Sequence, residues 1–188
     1  QGKKTRFYSC RFGNVLGSNG SVIPIFEKQI IRKEKITITD KAMTRFVMSI
    51  QDSVKLILES SKIAKGGEIF ITKMPVIRIL DLAHAMMNLL HKKCNYDSDT
   101  LQYKIIGTKM GEKLFEELMS SEEVRRTFEL QKYFVVLPIS GAENNYSNYE
   151  FVDSAKVGVD KPYISENETY LNVSEIESLL IDNGLLVN

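Results

Sequence analysis

Short apolar runs of strand length alternate with amphipathic stretches of helix length along this chain, and that alternation confines it to an α/β fold. Residues 5–12 read as a strand, aromatic and small apolar types between turn signals. Residues 13–20 are a glycine-punctuated loop. Residues 21–32 read as a helix with Ser21 as N-cap and Pro24 tolerated in the first turn. Ile36 and Ile38 form a short alternating strand. Ser49 and Asp52 have capping-box form, and behind them Ile50, Val54, Ile57 and Leu58 share one helical face, on a helix expected to pack on the sheet in the intact protein. Gly66-Gly67 ends that helix. A buried-type strand over 68–72 is broken by Pro75, and Leu80, Ala83, Met87 and Leu90 mark the next helix, with Met86 and Met87 as core filler. A strand over 103–106 runs into Gly107 and Gly111. A helix is expected after them, with Leu114 and Leu118 inward and Glu112 near its positive end. Residues 133–137 read as a strand, 140–160 as a long polar loop, and 174–180 as a final helix.

Charge and cysteine usage exclude several classes. The 188 residues carry 25 Lys and Arg against 24 Asp and Glu. That balance lacks the basic excess of a nucleic-acid binder. Cys10 and Cys94 stand far apart, outside metal-ligand spacing, and two cysteines make no disulfide framework. His84 and His91 lack carboxylate or cysteine partners in spacing, so no metal site is expected. No apolar run approaches the roughly 18 residues that span a bilayer. The N-terminus has no apolar signal core. A cytoplasmic protein without membrane attachment is the expectation. The first residue is Gln, and the chain opens almost at once into a strand, which suggests a fragment of something longer. Glu122-Glu123 followed by Arg125-Arg126 reads as a solvated helical face.

The first forty residues imitate a dinucleotide-binding unit: a strand, Gly13-x-x-x-Gly17-x-x-Gly20, a helix, and a strand ending in Asp40. The spacing is wrong for that role. The first two glycines are four apart, and Asn14, Val15 and Leu16 put side chains where backbone must approach a pyrophosphate. A loop that merely turns the chain is the better reading.

Read as a block, Arg11-Phe12-Gly13-Asn14-Val15-Leu16-Gly17-Ser18-Asn19-Gly20-Ser21-Val22-Ile23-Pro24 resembles the sixth strand and following loop of extended short-chain dehydrogenase/reductases of the polysaccharide-biosynthesis type. These are the UDP-N-acetylglucosamine 4,6-dehydratases and their epimerase relatives. Ile38-Thr39-Asp40, Met43-Thr44-Arg45-Phe46, Lys65-Gly66-Gly67-Glu68-Ile69-Phe70 and Gly107-x-x-x-Gly111-Glu112-Lys113-Leu114 follow in the family's order, and Tyr163-x-Ser165-x-Asn167 resembles the tail of some members. The resemblance covers nearly the whole chain. It implies the C-terminal part of an NAD(P)-binding, Rossmann-like extended fold: residues 1–20 as the last part of the core, 21–138 as the substrate-binding region with remaining strands and helices, and 139–188 as a C-terminal extension.

The same resemblance implies roles. Asn14 is similar to the residue that hydrogen-bonds the nucleotide-sugar. Val22, Ile23, Pro24, Ile25 and Phe26 match the segment whose backbone holds the substrate, and Thr39 the strand that flanks the base. Arg45 is similar to the arginine that pairs with the diphosphate. Lys109 and Glu112 occupy the arginine and glutamate positions of an Arg-Pro-Gly-Glu-Lys motif, acting on phosphate and ribose. Val15 and Asn19 match positions near the cofactor. Lys109 for Arg exchanges a planar fork for a point charge. Met110 replaces the motif's Pro, and Asn19 stands where the family usually has Arg. The chemistry suits a UDP-sugar: a guanidinium binds a diphosphate bidentately, a carboxylate accepts from ribose hydroxyls, and an amide both donates and accepts.

The family's Tyr-x-x-x-Lys pair is absent, since no tyrosine here has lysine four residues later. No catalytic residue is therefore expected in this chain, and NADP or NAD is expected to be held mainly by residues outside it. The intact protein is expected to be a UDP-sugar 4,6-dehydratase of surface polysaccharide synthesis, homo-oligomeric at full length. The alternatives are a UDP-sugar 4-epimerase and a catalytically inactive binding module.

Overall fold

The computed structural model describes residues 5–94, 102–139 and 159–186. The fold is α/β, and the chain divides into two compact units, each assembled from three separate stretches of sequence.

The first unit takes residues up to Gly13, Ile50–Met74 and Glu117–Ile164. Its centre is a four-stranded sheet. Strand β1 (Ser9–Arg11) pairs in parallel with a later strand, Ile69–Thr72. That strand pairs antiparallel with Tyr133–Val136, which pairs antiparallel with Thr127–Glu129. Only three residues of the expected 5–12 strand join the ladder, and the sheet is mixed, with β1 in its parallel pair. Among the described residues the far edge of β1 has no partner strand. The expected 140–160 loop lies almost wholly outside the described residues.

One helix of this unit is Ile50–Ile63. Its inner face is Leu56 and Ser60, both fully buried, leading to Ala64 in a cluster with Phe70, Phe128 and Val135. The apolar stripe of Ile50, Val54, Ile57 and Leu58 stands exposed at 45–57% in this chain. Periodicity finds an apolar face but does not say which neighbour covers it. Contiguous apolar surface of this kind drives association. Replacing Ile57 and Leu58 by lysine is expected to leave the melting temperature of the 188-residue chain within about 2 °C, as surface changes do. Sedimentation velocity should show less self-association. Unchanged association would assign it to another surface.

The second unit takes Asn14–Ser49, Pro75–Glu116 and residues from Ser165 onward. In chain order its elements are β2 (Asn14–Val15), α1 (Val22–Ile31), β3 (Ile36–Ile38), β4 (Thr44–Met48), then, after α2 (the helix Ile50–Ile63) and β5 (Ile69–Thr72) of the first unit, β6 (Val76–Arg78), α3 (Ile79–Cys94) and β7 (Tyr103–Ile105). The last helix, α4 (Val173–Asp182), begins at Asn172 with a complete capping box to Glu175. Sheet β2-β4-β6 and the pair β3-β7 flank a core of Phe26, Ile30, Ile36, Ile38, Leu82 and Met86, closed by Ile176 and Leu180 of α4. Met86 and Met87 are core filler as read.

Strand β3 pairs with β7, and with neither β1 nor β2. A dinucleotide-binding unit needs both flanking strands in one sheet, so the glycine loop is a turn, as its spacing indicated.

Two further expectations fail. No helix follows Gly111. Residues 107–116 are an irregular segment with a turn at 110–111, succeeded by β8 (Glu117–Met119). And Glu122–Arg126 is no solvated helical face: the short 3-10 turn Glu123–Arg126 buries Glu123. Arg11 donates from Nη1 and Nη2 to both carboxylate oxygens of Glu123 at 2.7 Å, and from Nη1 to the Leu118 carbonyl at 2.7 Å. Arg126 donates to the Leu137 carbonyl and pairs with Glu122 at 3.1 Å.

Candidate functional site

Strand alternation sorts the second unit's side chains. On β4, Thr44, Phe46 and Met48 turn to one side, and Arg45 and Val47 turn to a cavity of about 240 Å³. On β3, Ile36 and Ile38 enter the core, leaving Thr37 and, just beyond the strand, Thr39 at the cavity. Pairing of Asn14 with Val47 sets β2 beside β4, and the first turn of α1 completes the wall.

The cavity brings together Asn14, Val15, Val22, Ile23, Phe26, Thr39, Arg45 and Glu112 of the residues singled out in the sequence. It does not include Pro24 and Ile25, which are exposed on α1, or Asn19, exposed in the loop. Lys109 is exposed on the turn that carries Glu112 and is likewise not in the wall.

Glu112 is held without a helix. Gly107 and Gly111 adopt φ of +79° and +83°, which suit the turn between them. The Glu112 amide donates to the Lys109 carbonyl at 3.0 Å, and the Lys109 amide donates back to Glu112 Oε2 at 3.2 Å. Thr39 donates its hydroxyl to Glu112 Oε1 at 3.1 Å. The carboxylate is thus half-buried at the cavity, and the helix-end charge interaction expected for it does not arise.

Arg45 is largely engaged. Nη1 donates to the Thr44 carbonyl at 2.7 Å and the Leu114 carbonyl at 3.1 Å, Nη2 donates to the Lys113 carbonyl at 2.7 Å, and Nε lies 3.5 Å from Glu116 Oε1. One N–H of Nη2 is left, so this geometry offers a charge and a single donor to the cavity where the sequence suggested a bidentate fork. Asn14 spends both amide hydrogens, on the Phe46 carbonyl at 3.1 Å and Glu116 Oε1 at 3.2 Å. Its Oδ1 remains, an acceptor where the sequence suggested both functions.

Two residues escaped the sequence reading. Ser21 sits at the N-cap of α1 with extended backbone, yet its side chain makes no capping bond, and its buried Oγ has no partner among the described residues. The first-turn amides of Val22 and Ile23 cannot be paired within the helix, and Pro24 has none. A wall residue in cap position that does not cap was legible only as a cap. Glu116 is the other: it ties Asn14 to Arg45 and carries no spacing signal.

A helix N-terminus, a guanidinium, an acceptor amide and a carboxylate around one cavity define a site for a polar, anionic, hydroxyl-bearing molecule. Only Val15 of the two positions matched to the cofactor lines the cavity, and the glycine loop is a turn.

The chain belongs to the polysaccharide biosynthesis protein family, whose model matches residues 1–138, as the ordered motifs implied. It is 44% identical over 161 residues to an uncharacterized membrane protein of Methanocaldococcus jannaschii, covering 85% of this chain and 48% of that one. It is 38% identical over 179 residues to the UDP-glucose 4-epimerase of Rickettsia bellii, covering 95% of this chain and 50% of the relative. The structure of Pen from Bacillus thuringiensis superposes with a TM-score of 0.83 at 38% identity, over 97% of this chain and 51% of Pen. The chain therefore spans about half the length of the curated relatives it matches. No helix among the described residues is long and apolar enough to cross a membrane.

Proposed function

We propose that this chain is the nucleotide-sugar-binding half of an NAD(P)-dependent enzyme that acts at C4 of a UDP-sugar in polysaccharide synthesis. The observation that carries the reading is the shared cavity: Arg45, the unpaired Ser21 hydroxyl and the first-turn amides of α1 for a diphosphate, Glu112 for ribose hydroxyls, and Asn14 Oδ1 for a sugar hydroxyl. Lys109 adds positive charge at the rim. NADP or NAD, held mainly by residues outside this chain, would supply hydride chemistry. The acid/base residues are likewise assigned outside it.

Two outcomes fit the same oxidation at C4: 4,6-dehydration, from the motif resemblance, and 4-epimerisation. The name of the Rickettsia relatives at 38–39% identity favours the second. The test is product analysis with the full-length protein, given UDP-N-acetylglucosamine or UDP-glucose with NAD or NADP. A 4-epimer supports epimerisation and a 4-keto-6-deoxy sugar supports dehydration. Conversion of neither, together with no binding of either nucleotide-sugar, would overturn the reading. Glu112→Ala is expected to weaken UDP itself about tenfold, the scale of a lost charged hydrogen bond, measurable by calorimetry. Equal UDP affinity would remove Glu112 from the ribose.

A further inference from the structure

We infer that Glu116 is a positioning residue of this site, fixing which face of the Asn14 amide and which N–H of Arg45 a ligand meets; the inference rests on the functional reading above. One carboxylate oxygen, Oε1, serves both partners, accepting from Asn14 Nδ2 at 3.2 Å and lying 3.5 Å from Arg45 Nε. The Asn14 amide has the Phe46 carbonyl as its second acceptor. Two acceptors on one side leave the NH₂ no alternative, so Oδ1 is the atom presented. The site then selects a ligand group that donates, a hydroxyl, over one that only accepts, a ketone.

Glu116 can hold two ligand residues because it is itself held. Its amide donates to Ser165 Oγ at 2.9 Å, and its carbonyl accepts from the Ser165 amide at 2.9 Å. Ser165 is fully buried, and its hydroxyl is 2.7 Å from Thr44 Oγ1, on the residue before Arg45. Ser165 of the Tyr-x-Ser-x-Asn segment thereby anchors a cluster that joins Asn14 to Glu116 across 102 residues and Thr44 to Ser165 across 121.

The test is a double-mutant cycle in the full-length protein, with UDP-N-acetylglucosamine binding read by calorimetry. Asn14→Ala and Glu116→Ala are each expected to weaken binding about tenfold, the scale of one hydrogen bond. The double variant should be no more than about twofold weaker than Glu116→Ala, because Asn14 has already lost its orientation. Glu116→Gln keeps an oxygen at the same reach and should restore most of the affinity. Glu116→Asp keeps the charge, withdraws the oxygen by a methylene and should not. That order separates hydrogen-bond positioning from bulk charge, and Glu116→Gln carries the test if the alanine variant fails to fold. Losses that multiply in the double variant, or rescue by Asp and not Gln, would overturn the inference. A wild type that binds neither UDP-N-acetylglucosamine nor UDP would instead overturn the functional reading beneath it.

Discussion

Replacing Arg11 by methionine is expected to destabilise the first unit by up to about 3 kcal/mol, no more than the lower end of what breaking a buried ion pair costs, because the Arg11 side chain is 34% exposed. The size follows from what is stranded. The Glu123 side chain is only 8% exposed, and Arg11 gives it two of its hydrogen bonds, the Ser120 amide and hydroxyl giving the others. Arg126 approaches no closer than 3.6 Å and is committed to Glu122 and the Leu137 carbonyl. Removing Arg11 takes two hydrogen bonds from a buried carboxylate, leaves it only the longer pairing to Arg126, and frees the Leu118 carbonyl as well. In a chain of this size a loss of about 3 kcal/mol lowers the melting temperature by roughly 6–12 °C. Glu123→Gln in the Arg11→Met background should recover part of it, since an amide is cheaper to bury than a charge. A shift under about 2 °C for Arg11→Met would show that water reaches the carboxylate freely.

The same pair sets an acid limit. Burial pushes the Glu123 carboxyl up, but hydrogen bonds from Arg11 and Ser120 and the guanidinium charge outweigh it and hold the group at about 2, against an ordinary 4.5. The folded value lies below the unfolded one. The stabilisation is therefore complete above the unfolded value and is lost as pH falls through 4.5 towards 2. Its ceiling is about 3 kcal/mol. Melting temperature followed from pH 6 to pH 2.5 should fall more steeply for wild type than for the Arg11→Met, Glu123→Gln double variant. Parallel curves would place the acid sensitivity elsewhere.

Legibility in the sequence followed the range of the interactions. The turn at 17–20, the helix that opens after Ser21 and the long α3 are local matters of glycine, cap position and apolar period, and they were readable. The 107–116 segment was not. Leu114 and Leu118 have helical spacing by coincidence, while the carbonyls of Lys113 and Leu114 are taken by Arg45, 68 and 69 residues earlier. Glu123 looked solvated because its partner stands 112 residues away. Within the site, the motif positions placed Asn14, Thr39, Arg45 and Glu112 around one cavity. What no motif could say is which hydrogens those groups have left, because Phe46, Glu116 and the 113–114 carbonyls spend them.

That difference gives Arg45 two measurable consequences where the sequence suggested one. Read as a ligand clamp alone, Arg45→Ala should weaken UDP-sugar binding and leave the fold untouched. In the structure the side chain is 14% exposed and joins the Thr44, Lys113 and Leu114 carbonyls to Glu116. Its removal takes the side-chain donor from the Lys113 carbonyl, leaves the Leu114 carbonyl only the Thr44 amide and the Thr44 carbonyl only the Ser165 hydroxyl, and deprives Glu116 of its cation, so about 2 kcal/mol of stability should go with it. UDP-sugar affinity in the full-length protein should fall about 100-fold, from the lost charge and from Glu116 no longer fixed beside Asn14. NAD(P) affinity should change little, since Arg45 is assigned to the diphosphate of the sugar nucleotide. Arg45→Lys should recover little of either loss, because a single ammonium cannot reach three carbonyls and a carboxylate spread around a planar fork. Calorimetric titration and thermal melting of the same variants decide between the accounts. A lost affinity with an unchanged melting temperature would return Arg45 to a pure clamp. Unchanged UDP-sugar affinity would remove it from the binding site altogether.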